Sequence, residues 1–157
     1  MGTLEDLRSR AGSRLGVSDW ALVDLATVKA FGRATLEPGA DAPADEAAEP
    51  RLHDLIAQGL LTLSMAISLA SPFTPMPDGV RSALNYGFDR IRFIAPVEVG
   101  ARIRVAVDLI GVEQLDVLKW RGIFDLTVEI EGADRPAASA RWLIVYLLPQ
   151  PLGANGA

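Results

Sequence analysis

The sequence predicts an α+β domain in which one apolar helix packs against an antiparallel sheet. Three observations support this: an apolar stretch over 55–70, an alternation of apolar and polar residues after residue 84, and a length of 157 residues. A chain of this length buries one continuous core. Half of its residues are hydrophobic, which excludes wholesale disorder. We therefore expect residues 1–157 to form a single domain.

Composition and charge exclude several classes of function. The net charge of −5 argues against a surface that coats nucleic acid, because phosphate binding needs clustered Lys and Arg. The chain has no cysteine, so disulfides, thiolate nucleophiles and cysteine-ligated zinc are excluded. His53 is the single histidine, which leaves no multi-histidine metal site. We expect no metal in this protein.

Three segments differ from the predicted core. Residues 1–14 carry Leu4 and Leu7 among charged residues and read as an N-terminal helix or arm; they lack the apolar core of a signal peptide, so we expect a cytoplasmic protein. Residues 35–50 contain five acidic residues, no basic residue and three prolines, which indicates an acidic loop. Residues 149–157 form a C-terminal tail.

The apolar stretch is predicted to be a long buried helix that begins near Pro50 or Arg51 and ends at Ser71-Pro72. Its apolar residues leave no wide polar face, which is typical of a helix enclosed by protein: Leu52, Leu55, Ile56, Leu60, Leu63, Met65, Ile67 and Leu69. A membrane span needs about 20 mostly apolar residues, and this stretch has polar side chains within 16 residues. A short strand over 20–23 and a helix over 25–34 precede it.

The strands are predicted from the residue period of two. They cover residues 85–94, 101–110, 118–131 and 139–148, and the last is apolar on both faces, as in a central strand. One apolar helix followed by antiparallel strands is accommodated when the sheet wraps around the helix, which is the hotdog fold. Such a sheet covers only part of its helix. We therefore expect a homodimer joined along sheet edges.

Five blocks of the sequence, in order, resemble the MaoC-like dehydratase family and most closely its NodN-like branch of (R)-specific enoyl-CoA hydratases. The blocks are GSRLGVSDW at 12–20, FGRATLE at 31–37, IAQGLLTLSM at 56–65, NYGFDRIRFIAPVEVG at 85–100 and VEIEGADRPAASA at 128–140. The resemblance independently implies the hotdog fold and a dimer. It implies addition of water to a 2-enoyl thioester, or the reverse, on a CoA or acyl-carrier substrate. Coenzyme A then enters only as part of the substrate, and no cofactor is implied.

The resemblance also implies the site residues. The family's catalytic aspartate falls on Glu37, its histidine five positions later on Ala42, and a second histidine on Gln58, which precedes Gly59. In the family, a glycine N–H at the helix start stabilises the negative charge of the thioester oxygen. We therefore predict Glu37, Gln58 and Gly59 as the catalytic group, without the family's imidazole. For Gly59 helix packing stays open as an alternative, and for Gln58 a structural role does.

Three further residues near the start of the predicted helix could take part in chemistry. His53 has a side-chain pKa suited to proton transfer, but a lone histidine near a helix start is more often a surface or capping residue. Asp41 and Asp54 could activate water, as a carboxylate does in some hotdog thioesterases. A loop acid in solvent and a favourable charge at a helix N-terminus are the interpretations we favour for them.

Several arginines and aromatic residues are candidate substrate contacts. Arg90, Arg92, Arg102 and Arg104 are expected on adjacent strands, where they could bind the phosphates of coenzyme A or form an outward face of the sheet. The resemblance favours Arg92 and adds Tyr86 to the substrate-binding residues. Tyr86, Trp20, Trp120 and Trp142 otherwise read as packing residues.

Three functions stay open from the sequence. The first is an enoyl-thioester hydratase with a site rebuilt on Glu37, Gln58 and Gly59. The second is a non-catalytic subunit that binds acyl thioesters and forms a heteromer with an active homologue, because Ala42 cannot move a proton. The third is a thioesterase on the same scaffold.

Overall fold

A computed structural model describes residues 2–38, 55–74 and 76–149. The described elements are, in chain order, α1 (Leu4–Ser9), β1 (Arg14–Val17), β2 (Ala21–Leu22), α2 (Leu25–Ala34), α3 (Gly59–Ala70), a 3₁₀ turn (Ser71–Phe73), β3 (Ser82–Phe93), β4 (Arg102–Asp116), β5 (Lys119–Ile130) and β6 (Ala138–Leu147). Most of the predicted acidic loop and nearly all of the C-terminal tail lie outside the described residues.

The strands form one antiparallel sheet in the order β1-β4-β5-β6-β3, and β2 also pairs with β4. The helix α3 packs on β4 and β5. The strand β6 lies between β5 and β3, and residues 142–146 along it are all buried, which confirms the predicted central strand. The predicted α+β architecture of one apolar helix on an antiparallel sheet is thus present.

The two faces of the sheet have opposite chemistry. Ile103, Val105, Val107 and Leu109 of β4 are fully buried on the helix side, as their alternation predicts. On the outer face, a row of charged residues follows the strand register through Arg14, Asp108, Asp125, Arg141 and Arg90. The Arg14–Asp108 and Arg141–Asp125 ion pairs in this row have nitrogen–oxygen distances of 2.9 and 2.8 Å. The inner face therefore forms the core, and the outer face contacts solvent.

The predicted long helix is interrupted, and its described part α3 begins at Gly59. Gly59 is its first residue, and Gln58 before it has an extended backbone with φ −60° and ψ 137°. Leu55 is helical, but Ile56 forms a β-bridge with Glu98, so the helix is interrupted between Leu55 and Gly59. The predicted start at Pro50 or Arg51 lies outside the described residues. Three residues fit a short extended segment as well as a helix, so the pattern alone did not show the interruption. The strand β1 has no counterpart among the predicted elements.

One side of α3 and one edge of the sheet are left uncovered by this chain. Leu60 is 60% exposed, and Ser64 and Ser68 follow it on the same helical face. The sheet of a single chain therefore covers only part of this helix, as the sequence analysis expects. The strand β3 is a sheet edge, and its Leu84, Tyr86 and Phe93 are 51 to 62% exposed.

The helix α2 has well-formed ends. Asp24 caps its start by accepting a hydrogen bond of 2.7 Å from the Thr27 amide, which lowers the pKa of the Asp24 carboxyl. At its end, the amides of Leu36 and Glu37 donate to the carbonyl oxygens of Arg33 and Gly32. This is a Schellman motif, and it needs a left-handed residue at Leu36, whose φ is +58°. A leucine there is strained because its Cβ crowds the backbone.

We expect Leu36→Gly to stabilise the fold by about 1 kcal/mol, because glycine adopts this conformation without steric cost. Leu36 is 87% exposed, so little buried contact is lost with its side chain. The measurement is the free energy of unfolding in urea. Leu36→Ala is the matched control, and it should stay within about 0.5 kcal/mol of the wild type because alanine keeps the Cβ. An equal gain in both variants would contradict the strain at this residue.

Candidate active site

The start of α3 is held by a short antiparallel pairing with the loop that precedes β4. The Ala57 amide donates to the Val97 carbonyl at 2.8 Å, and the Val99 amide donates to the Leu55 carbonyl at 2.9 Å. In a helix continuing from Leu55, that carbonyl would have accepted a bond from the Gly59 amide. The pairing with Val99 occupies it instead, which leaves the Gly59 amide at a true helix N-terminus.

The amides at this N-terminus have no capping side chain among the described residues. The first bond of the helix runs from the Thr62 amide to the Gln58 carbonyl, at 3.1 Å. The amides of Gly59, Leu60 and Leu61 therefore lack an acceptor within the helix. Free N–H groups and the positive end of the helix dipole favour an oxygen that carries negative charge.

An open cleft of about 360 Å³ lies at this helix end. It is lined by Ala57, Gly59, Thr62, Phe93, Ile94, Ala95, Pro96, Val97 and Ala137, which are apolar except for Thr62. The Phe93 ring covers Gly59 so closely that a Cβ on residue 59 would lie 3.0 to 3.1 Å from three ring carbons. We refer to this as the acyl cleft. Its lining suits an apolar chain, with a carbonyl at the amide end.

Glu37 and Gln58 meet at the start of α3, where Gln58 directly precedes Gly59. The Nε2 atom of Gln58 donates to the Oε2 atom of Glu37 at 2.6 Å, and it also lies 3.5 Å from the Val28 carbonyl oxygen. Both side chains are half-buried, and neither lines the acyl cleft. The Schellman turn after α2 brings Glu37 to this position, and the extended backbone of Gln58 brings the amide to it.

The Glu37–Gln58 pair has oxygen atoms that can accept further hydrogen bonds. The Oε1 atom of Gln58 is buried and has no hydrogen-bond partner within the described part of the chain. Its donor group is engaged by the Glu37 carboxylate, and one carboxylate oxygen of Glu37 takes no part in that bond. A buried acceptor without a partner costs about 1 to 3 kcal/mol. This arrangement can hold a water molecule next to a carboxylate.

The structure places the other predicted site residues elsewhere. Arg92 lies on β3 with its Nη1 atom 2.9 Å from the Ile91 carbonyl oxygen, and Tyr86 is an exposed residue near Arg121. Neither lines the acyl cleft. Asp41, Ala42, His53 and Asp54 lie outside the described residues. The three catalytic candidates therefore cluster at the start of α3, and the two substrate-binding candidates do not join them.

The prediction that the four arginines share adjacent strands is wrong. Arg90 and Arg92 are on β3, Arg102 and Arg104 are on β4, and β5 and β6 lie between these strands. Strand order is not encoded in the alternation of residues, so the sequence pattern could not show the separation. Arg102 and Arg104 form ion pairs with Glu131 and Glu129.

The aromatic residues follow the packing interpretation in part. Trp120 and Trp142 are buried in the core at 3% and 6% exposure. Trp20 is half-buried and stacks on the Arg104 guanidinium, whose central carbon lies 4.5 Å from the ring centroid. Tyr86, at 62% exposure, does not pack in this chain.

Phe93 and Thr62 are the site residues that sequence reasoning missed. Phe93 ends β3 one position after Arg92, so the strand period places its ring on the inner face, opposite Arg92. Thr62 follows Gly59 by three residues and so shares its helix face, but its burial at 2% was not anticipated.

The described residues contain no group of three acidic or histidine side chains that could hold a metal. No described helix is long and apolar enough to cross a membrane.

Comparison with known proteins agrees with the architecture. The family model described as MaoC like domain matches residues 42–122. The chain is 34% identical over 146 residues to 3-hydroxyacyl-thioester dehydratase Z of Mycobacterium tuberculosis, covering 92% of this chain and 96% of that protein. It is 35% identical over 151 residues to nodulation protein N of Rhizobium leguminosarum bv. viciae, covering 91% and 90%.

Solved structures support the fold. The crystal structure of the MaoC-like dehydratase from Rhodospirillum rubrum superposes with a TM-score of 0.67, covering 96% of this chain and 99% of that one at 19% identity. The predicted hotdog fold and the resemblance to NodN-like proteins are both confirmed. With a sheet on one apolar helix, a family model that matches more than half of the sequence, and relatives aligned over nearly its whole length, this chain belongs to the MaoC-like hydratase and dehydratase family.

Proposed function

We propose that this protein adds water to the double bond of a 2-enoyl thioester, or removes it from the 3-hydroxyacyl thioester. The observation that carries the proposal is the Glu37 carboxylate, hydrogen-bonded to Gln58 directly before the uncapped amide of Gly59. An apolar cleft opens at the same helix end. The relative named 3-hydroxyacyl-thioester dehydratase Z supports the same reaction class.

The chemistry can run on one carboxyl group. Glu37 takes a proton from water, the water oxygen bonds to C3 of the enoyl chain, and negative charge moves to the thioester oxygen. The Gly59 amide stabilises that oxygen because it donates a hydrogen bond from the positive end of α3. Glu37 then returns its proton to C2 as the carbonyl reforms, so the carboxylate is regenerated. This route does not need the imidazole that Ala42 lacks.

Gln58 is a positioning residue in this mechanism. Its side chain carries no titratable proton, so it cannot be the acid or the base. Its 2.6 Å bond fixes one oxygen of Glu37 and leaves the other for water.

The reaction transfers only the elements of water, so we propose no cofactor beyond the CoA or acyl carrier of the substrate. We also propose a single domain and a cytoplasmic location, in keeping with the sequence.

Glu37→Gln should lower kcat/KM for hydration of octenoyl-CoA by about 100-fold or more, because the amide cannot accept and return the proton. The measurement is the loss of enoyl absorbance with purified protein, with circular dichroism as a check on folding. Glu113→Gln is the matched control, since Glu113 is an exposed carboxylate paired with Arg121 near the β4–β5 turn. It should keep wild-type activity. Full activity in Glu37→Gln would contradict the role of Glu37.

Gly59→Ala should reduce the same kcat/KM at least about tenfold, because a Cβ at this position competes with a carbonyl for the helix end. The free energy of unfolding should stay within about 1 kcal/mol, since alanine favours the helix and the half-exposed Phe93 ring can move. Gly111→Ala is the control, because its Cβ would meet no atom within 4 Å. A Gly59→Ala protein with unchanged kcat/KM would exclude a close approach of the thioester carbonyl to the Gly59 amide.

A second candidate is a non-catalytic subunit that binds acyl thioesters, and the alanine at residue 42 favours it. In that case the purified chain would show no hydration of octenoyl-CoA, and addition of a co-purifying homologue would restore turnover. A thioesterase would instead release free CoA thiol, which a thiol reagent detects in the same reaction mixture. The assay that tests Glu37 therefore also separates these two functions from the first.

We propose a homodimer formed along β3, because this strand is a sheet edge with unpaired backbone groups and exposed apolar side chains. Tyr86→Lys should shift the protein from dimer to monomer at micromolar concentration in analytical ultracentrifugation. Val117→Lys is the matched control: Val117 is 64% exposed but lies in the β4–β5 turn. A wild-type monomer at all concentrations would contradict the homodimer, and a heteromer with a homologue would support the second candidate.

A further inference from the structure

A second open cleft, of about 370 Å³, lies at the same end of the sheet as the acyl cleft. Trp20, Arg104, Thr127 and Glu129 line it from the outer face, and the β5–β6 turn lines it with Asp134, Arg135 and Pro136. No part of the proposed reaction uses these residues. We refer to this as the outer cleft.

The two clefts adjoin at the β5–β6 turn. Pro136 lines the outer cleft, and the next residue, Ala137, lines the acyl cleft. The Ile94 amide donates to the Ala137 carbonyl at 2.8 Å, so the turn is tied to the end of β3. The Nη2 atom of Arg135 lies 3.5 Å from the Ile94 carbonyl oxygen, and Ile94 also lines the acyl cleft. The Arg135 guanidinium therefore lies at the boundary between the two clefts.

The outer cleft contains a planar surface and an arginine whose N–H donors are mostly unused. Trp20 stacks with Arg104, and Glu129 holds Arg104 by a bond of 2.7 Å, which fixes a flat aromatic and guanidinium surface. Arg135 is exposed, and its long bond to Ile94 engages one of five N–H donors. Asp134 and Glu129 add acceptors to the lining. Stacking surfaces and free guanidinium groups are what a phosphorylated purine requires.

We propose that the outer cleft binds the adenosine bisphosphate end of a coenzyme A thioester whose acyl end occupies the acyl cleft. Arg135 binds phosphate, the Trp20–Arg104 surface packs on the adenine ring, and Asp134 accepts a hydrogen bond from its amino group. Glu129 already pairs with Arg104, so phosphate is directed to Arg135. The proposal rests on the thioester chemistry above and commits to CoA as the carrier, because a carrier protein's phosphopantetheine has no adenosine.

The test is isothermal titration calorimetry with three probes: CoA, adenosine 3′,5′-bisphosphate and octanoyl-pantetheine. Arg135→Gln should weaken binding of CoA and of the bisphosphate about tenfold, and should leave octanoyl-pantetheine binding unchanged. Arg8→Gln is the charge-matched control, since Arg8 is exposed on α1 and lines neither cleft. Trp20 is the more exposed of the three tryptophans, so the bisphosphate should quench protein fluorescence, and Trp20→Phe should remove the quenching.

The outcomes separate this inference from the proposed function. If octanoyl-pantetheine binds and the bisphosphate does not, the outer cleft is not a nucleotide site, whereas the thioester chemistry stands. If Arg8→Gln weakens the bisphosphate as much as Arg135→Gln, the attraction is general charge and the inference is overturned. If octanoyl-pantetheine fails to bind while the bisphosphate depends on Arg135, the nucleotide site is supported and the proposed function is not.

Discussion

The bond from the Val99 amide to the Leu55 carbonyl determines where the central helix begins, and the candidate site depends on that beginning. An apolar stretch of this length would form one continuous helix if nothing competed for its carbonyl groups. Pairing of residues 55–57 with 97–99 withdraws these groups from the helix. The result is a helix N-terminus next to the end of β3, where Gly59 lines an open apolar cleft. A site for developing negative charge follows from one local change in hydrogen bonding.

The other half of the site depends on a strained turn. The chain leaves α2 through a left-handed leucine, and a left-handed conformation costs an L-residue roughly 1 to 2 kcal/mol. The turn is kept because the amides of Leu36 and Glu37 satisfy helix carbonyl groups that would otherwise be unpaired. It directs Glu37 back toward Gln58. The hydrogen bond between these two side chains therefore joins residues that are 21 positions apart in the sequence. Strain of this kind is found where geometry matters more than stability.

Much of the fold was predictable because burial repeats with a period. The residues of β4 and β5 alternate strictly, and that alternation places Ile103 and Phe124 in the core. The interruption of the helix at residues 56–58 was not predictable, because three residues are too few to distinguish a period of 2 from one of 3.6. The separation of Arg92 from Arg104 was not predictable for a different reason. The strand β3 pairs with β6 and not with β4, and the alternation of residues does not encode strand order. At the site, Gly59 and Glu37 were named from the resemblance, but Phe93 required coordinates, because its contact with Gly59 joins residues 34 positions apart.

The ion pairs of the outer face occupy arginine side chains that would otherwise be available to an anion. Arg14, Arg141 and Arg121 each donate to a carboxylate on a neighbouring strand. Exposed pairs of this kind contribute at most about 1 kcal/mol each, so they stabilise the fold little, but they occupy the guanidinium groups. An incoming phosphate would have to displace a carboxylate that is already in position. With a net charge of −5, anion binding is therefore restricted to places where an arginine faces a cleft without a carboxylate bound to it. Arg135, in the turn between the two clefts, has no carboxylate partner among the described residues and so meets that condition.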